Sequence, residues 1–310
     1  MEQAAGVELR DELVAQATAI PLGNQHALLE VARLCGSSVS RASDVAFAAA
    51  HDEAFAALLL RIANSAYSAS TTRISSLSVA VTRLGFRLVQ GLALAAPGLG
   101  LLVSTRDSFT GQRRVLHQHA VRTGLVARKL ARTQEEADRA LAAGLVHNLG
   151  LTIISLYAQD TFTTLVNAAA SRKQLRPIEE DTLGFTHAEL GGLVGSAWGY
   201  PPELVTAIVE HDQQHPATAL AGLVQCADLL VREIGPSLEA PRKLPTPAFA
   251  SLGIDVGRSR DEVALMLDVE ARNEAEDEAK DAASAPEDDS PLDAADVVRT
   301  VLGDIVETPF

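Results

Sequence analysis

Aromatic residues make up only 4 % of this chain, and its two cysteines, Cys35 and Cys226, lie far apart with no Cys-x-x-Cys spacing. Two distant cysteines exclude a disulfide framework. Both are read as buried, reduced thiols, which fits a cytoplasmic protein. Clustered bases are missing as well. The formal net charge is −14, so neither nucleic acid nor an anionic membrane surface is an expected partner. No long apolar run is present: the longest, Leu88 to Val103, is broken by Gln90, Pro97, Gly98 and Gly100. A bilayer span takes about 20 apolar residues. A buried helix ending near Pro97 is expected there instead. Met1 to Arg10 carries Glu2 and Glu8 and has no basic-then-apolar leader pattern. Alternating strand patterns, glycine-rich phosphate loops, nucleophile elbows and kinase-like signatures are likewise absent.

What the chain does have is alanine, leucine and helical spacing. Gln25 to Cys35 places Leu28, Val31, Leu34 and Cys35 on one face and stops at Gly36. Asp52 can cap a helix through Ser65. Ser75 or Ser76 opens a helix that ends at Gly85, and Phe86 to Ala96 follows. Further helices are expected over Arg113–Arg132, Glu135–His147, Gln159–Arg172, Ile178–Leu183, Pro201–His211 and Ala217–Glu233, with His187 opening a glycine-rich one. Gly191, Gly192 and Gly195 on that helix read as close-approach positions, and Trp198 as a core anchor.

The composition divides the chain. Residues 1–112 form an N-terminal helical part and 113–235 a helical bundle, followed by an irregular stretch and short helix over 236–269. Between Glu270 and Asp289 nine acids face two bases, so 270–291 reads as an acidic disordered linker. Residues 292–310 regain helical spacing through Val297, Val298, Val301, Leu302 and Ile305, as a docking peptide or as a strap onto the body. The expected fold is all-α: a multi-helix bundle preceded by a smaller helical N-terminal subdomain.

Four histidines and one aspartate carry the chemical signal. His119 lies on a stripe-bearing helix, and His147 ends the next and precedes Asn148. His187 opens a helix, His211 ends another before Asp212, and Asp228 sits inside the apolar run Ala227-Asp228-Leu229. A helix-end histidine alone is usually a surface residue or a cap. Imidazoles and carboxylates on facing helices, however, are a standard way to hold a divalent metal and activate water.

That order resembles the HD superfamily of metal-dependent phosphohydrolases, whose pattern is His, His-Asp, then Asp. By that resemblance His119, His147 and Asp228 would be metal ligands. His187 and His211 are similar to the extra histidines of the cyclic-di-GMP-hydrolysing subgroup. Two departures follow: the doublet is His147-Asn148, and Leu149-Gly150-Leu151-Thr152 lacks that subgroup's Gly-Tyr-Pro. A neutral amide in place of a carboxylate weakens metal binding. In the first half, Ile20-Pro21, the run Leu58-Leu59-Leu60-Arg61-Ile62-Ala63-Asn64-Ser65-Ala66-Tyr67 and the run Ile74 to Gly85 resemble the HDOD (HD-related output domain) family. The match is specific over Leu58–Leu94 and weaker over Ile20–Glu233.

The resemblance implies an HD-like bundle with a degenerate site and no catalysis. It implies a bacterial signal-transduction module working through protein–protein contact. Response regulators or cyclic-di-nucleotide enzymes are the expected partners. No cofactor is expected, although a single divalent metal could be held. Two other readings stay open: a weak or vestigial phosphohydrolase, and a nucleotide-sensing binder using the degenerate pocket, which clustered arginines such as Arg122 and Arg128 would favour. Asn64 and Ser65 are read as structural, bonding to nearby backbone at a helix end.

Overall fold

The computed structural model describes residues 2–19, 25–64, 74–103, 110–170, 174–235, 237–239 and 246–265. The acidic linker over 270–291 and the helix expected over 292–306 lie outside the described residues. Among those described there is no strand, and fifteen helices follow one another.

The first six are α1 (Glu2–Ala19), α2 (Gln25–Cys35), α3 (Ala42–Ala49), α4 (Glu53–Asn64), α5 (Leu77–Leu84) and α6 (Phe86–Val103). The bundle that carries the histidines comprises α7 (Thr110–Leu130), α8 (Gln134–Val146), α9 (Leu149–Tyr157), α10 (Gln159–Ala170), α11 (Leu175–Leu183), α12 (His187–Ala197), α13 (Pro202–Glu210) and α14 (Ala219–Ile234). A short α15 (Thr246–Ser251) follows, and a further helical stretch covers 256–265.

Helix α7 lies against both α8 and α14, and α9 lies against α12. The α7–α8 approach is close because glycine faces glycine: a Cβ on Gly144 would stand 2.5 Å from the Gly124 Cα. One buried core extends from Leu13 in α1 to Val224 in α14. Polar ties join its two ends. Trp198, buried as expected, donates its indole N–H to the Ala17 carbonyl at 3.4 Å, and the Tyr200 hydroxyl donates to the Leu94 carbonyl at 2.5 Å. A smaller cluster around Leu230, Phe249 and Val263 closes the C-terminal side.

Several sequence expectations need correction. The helix begun at Phe86 does not end near Pro97 but runs through it to Val103. Proline removes one backbone donor, and the helix-forming leucines beyond it resume the ladder. Helix α11 begins at Leu175, not Ile178, because Pro177 falls in the first turn, where its missing N–H is no loss. Helices α1, α3 and α9 were not expected. α1 presents small groups inward, with Gly6 and Ala17 buried beside Leu13, so it shows no bulky stripe. α9 is buried from Leu149 to Ser155, which erases any periodicity.

Asn64 has the structural role read for it. Its amide nitrogen donates to the Leu60 and Ile74 carbonyls at 2.8 and 2.7 Å, and its oxygen accepts from the Ile74 N–H at 2.6 Å. Gln134–Tyr157 is long and apolar enough to cross a membrane, but 89 % of that window is already buried within the protein.

Candidate functional site

Helix ends aim the imidazoles. His147 is the C-cap of α8 and His211 the C-cap of α13. Each donates its Nδ1–H to the carbonyl three residues back, Gly144 and Ile208 respectively, both at 2.7 Å. Those carbonyls belong to the last turn of a helix and lack intrahelical donors. One bond therefore satisfies the helix end, fixes the tautomer and leaves Nε2 as the free lone pair. His187 is the first residue of α12, in a capping box formed by Thr186 and Glu189. Its Nδ1–H donates to the Glu179 carboxylate at 2.8 Å.

The structure brings all five sequence-singled residues together. Ring centroids step from His119 to His147 at 5.4 Å, from His147 to His211 at 4.9 Å, and from His211 to His187 at 5.3 Å. Donor atoms of His119, His147 and Asp228 lie within 4.8 Å of one another, and all three residues are buried. His119 Nε2 donates to Asp228 Oδ1 at 2.9 Å.

Glycine makes room for this convergence. Gly150, in the first turn of α9, lies directly against α12: a Cβ there would overlap the His187 carbonyl oxygen and stand 2.9 Å from the Gly191 nitrogen. Gly191, Gly192 and Gly195 are the close-approach positions the sequence indicated, facing Ile208, Val209 and Tyr200.

Three charged residues of the centre were not anticipated. Arg232, one turn beyond Asp228 on α14, donates its Nε–H to Asp228 Oδ1 at 2.7 Å and ion-pairs through Nη1 with Glu239 at 2.6 Å. Its four-residue spacing from an acid in an apolar run was a usable signal. Glu179 sits in an ordinary amphipathic helix, and Glu239 in a proline-rich stretch. Neither gave a sign in the sequence.

Burial pushes the Asp228 carboxyl up, but the Arg232 guanidinium and His119 together hold it well below the usual carboxylate range. Burial pushes His147 well below the ordinary imidazole value, with the His211 ring adding to it. Burial also lowers His211. His187 goes the other way. Burial would depress it, yet the Glu179 carboxylate outweighs that and raises it to about 9. The cationic His187 then donates its Nε2–H to the neutral His211 Nε2, 3.4 Å away. Asp212 ion-pairs with Arg176 at 2.8 Å beside this pair. Burial works against ionising it, but His211, His187 and Arg176 keep its pKa low.

Two imidazole nitrogens and a carboxylate oxygen at this spacing are donors that zinc, iron or manganese accept. The buried His147 Nε2 makes no hydrogen bond among the described residues. The positions therefore suit a cation. The charge does not. The one carboxylate oxygen is already engaged by His119 and Arg232, and Asn148, the N-cap of α9 beside His147, brings no charge. Arg128 is committed to Asp138 at 3.3 Å.

An all-helical HD-like bundle with a buried histidine–aspartate cluster is the class defined by this fold and site. The HDOD domain family model matches residues 24–214, and the chain belongs to that family. A Treponema pallidum (strain Nichols) protein, itself uncharacterized, is 31 % identical over 191 residues. The alignment covers 59 % of this chain but only 36 % of that protein, so the chain spans about a third of its relative's length. Among solved structures, an HDOD domain protein of unknown function from Geobacter sulfurreducens aligns at 19 % identity and TM-score 0.64, covering 86 % of this chain and 96 % of that one. A protein from Marinobacter aquaeolei VT8, provisionally described as a signal transduction protein, aligns at 22 % identity and TM-score 0.64, covering 86 % and 64 %. A provisionally described phosphohydrolase from Shewanella amazonensis SB2B aligns at 23 % identity and TM-score 0.62, covering 85 % and 94 %. At such identities the likeness is one of fold.

Proposed function

We propose that this chain is a non-catalytic signal-transduction module of the cytoplasm, acting through protein–protein contact with signalling proteins such as response regulators or cyclic-di-nucleotide enzymes. The observation that carries the reading is the charge of the histidine centre. Metal-assisted phosphodiester hydrolysis needs anionic ligands to hold the ion and lower the pKa of bound water. Here the triad has one carboxylate, Asp228, compensated by Arg232, and Asn148 stands where the resembled doublet has aspartate. Water activation is left unsupported.

The test is hydrolysis of cyclic dinucleotides and of a simple phosphodiester with added manganese, iron or magnesium, comparing the protein with His147→Ala. Neither is expected to turn over. Metal-dependent turnover that vanishes in His147→Ala would overturn the reading and make the chain a phosphohydrolase.

A further inference from the structure

We infer that the Arg232 guanidinium is the resident cation of the histidine centre: it holds Asp228 in the charge role a divalent ion would fill, and so keeps metal out. The inference rests on the non-catalytic reading and deepens it by naming what occupies the site's charge.

Three observations support it. The first is shared use of one atom. Asp228 Oδ1 accepts from Arg232 Nε at 2.7 Å and from His119 Nε2 at 2.9 Å. A metal bound to that oxygen would stand about 2.1 Å away, and so within about 5 Å of a guanidinium that cannot shed its proton. The second is burial. Arg232 and Asp228 are 3 % and 2 % exposed, so little water screens the repulsion between the two cations. The third is anchorage. Arg232 cannot swing aside easily, because its Nη1 is paired with Glu239 at 2.6 Å. The other Glu239 oxygen accepts from the Leu175 N–H at 3.2 Å, at the start of the helix that carries Glu179. The guanidinium thus ties the His119–Asp228 end of the centre to the helix that orients His187.

The consequence is chemical. A bundle with this donor set should take up a borderline metal once its internal cation is removed, because His147 Nε2 is already aimed and unpaired.

The experiment uses the full chain, with zinc as the probe, dialysed and counted by elemental analysis and titrated calorimetrically. Circular dichroism confirms that each variant is folded. The wild type should retain less than about a tenth of an ion per chain after dialysis. Arg232→Met should bind one zinc at least about tenfold more tightly than the wild type. That uptake should be lost on adding His147→Ala, and Arg232→Lys should behave as the wild type. Should Arg232→Met fail to fold, Arg232→Met with Glu239→Gln, which removes the orphaned acid, takes its place.

One zinc per wild-type chain, lost in His147→Ala, overturns the inference, because a metal then coexists with the guanidinium. A folded Arg232→Met that gains no zinc overturns it too, since Arg232 would not be what excludes the ion. The two failures are separable from failure of the functional reading, which appears as phosphodiester turnover by the wild type.

Discussion

Gly150→Ala is the sharpest test of how α9 and α12 position the site. The added methyl would overlap the His187 carbonyl oxygen, approach its carbonyl carbon to 2.7 Å and reach the Gly191 nitrogen at 2.9 Å. All three are backbone atoms, so no rotamer change relieves the overlap. To reach ordinary contact the helices must part by more than about an ångström, and dense interiors transmit such strain. α12 has nowhere to retreat: Gly191 already meets the Ile208 side chain, and His187 is held by Glu179 and His211.

Overpacking a core costs about 1–3 kcal/mol when side chains can adjust. A clash with rigid backbone belongs at or beyond the top of that range. Alanine's better helix propensity returns up to about 1 kcal/mol, leaving a net loss of about 2–4 kcal/mol. For a domain of this size that lowers Tm by about 5–15 °C. Gly111→Ala is the control. Gly111 is exposed on α7, no atom lies within 4 Å of its would-be Cβ, and the change should be neutral or stabilising by up to about 1 kcal/mol. Thermal unfolding of the three proteins decides. A Gly150→Ala melt within about 2 °C of wild type would refute the argument, as would equal shifts in both variants.

Two further outcomes follow from the buried titratable groups. His187 is raised from 6.5 to about 9 by Glu179, with the Asp212 and Glu239 carboxylates adding to it against burial. A raised histidine contributes stability that is complete below its unfolded value of 6.5 and is lost as pH rises through about 9. Glu179→Gln should therefore be less stable at neutral pH and lose the decline across that alkaline window, as read by urea unfolding at several pH values; curves parallel to wild type would contradict this. Burial pushes both the Cys35 and Cys226 thiols up to about 12, so neither should react with iodoacetamide in the native protein near about pH 8, while both should react once unfolded. Rapid native labelling would show that the thiols are not sealed in the core.

The parts of the fold legible in the sequence were those with contrast between faces. α2, α4, α5 and α13 carry apolar residues on one side and polar ones on the other, and each was readable to within a few residues. α9 was not, because a helix buried on every side shows no periodicity. α1 was not, because Gly6 and Ala17 bury without looking apolar. Within the site, the five residues that stood out were three histidines at helix ends, one on the face of a long helix, and one acid in an apolar run. Their partners did not stand out: a Glu179 or Glu239 on a half-polar segment looks like any surface acid until the tertiary fold encloses it.

The network poses an energetic question that its geometry helps to answer. Asp228, Arg232, Glu179, His187 and Asp212 are all substantially buried, and burying charge costs several kcal/mol per ion before pairing offsets it. A well-packed apolar centre would often be as stable, so stability alone does not account for the arrangement. Its geometry does something an apolar core could not. Every member points at a helix terminus or ties two helices together: His147 and His211 close the ends of α8 and α13, Glu179 joins α11 to α12, and Arg232 joins α14 to the segment that reaches back to α11. Directional bonds of this kind permit one arrangement of the helices and penalise the others, because any slippage orphans a buried charge at about 3–5 kcal/mol. Whatever chemistry it supports, the cluster thereby fixes the register of the bundle. On the proposed reading, a module that presents one defined surface to a partner would draw that rigidity from the buried charge network.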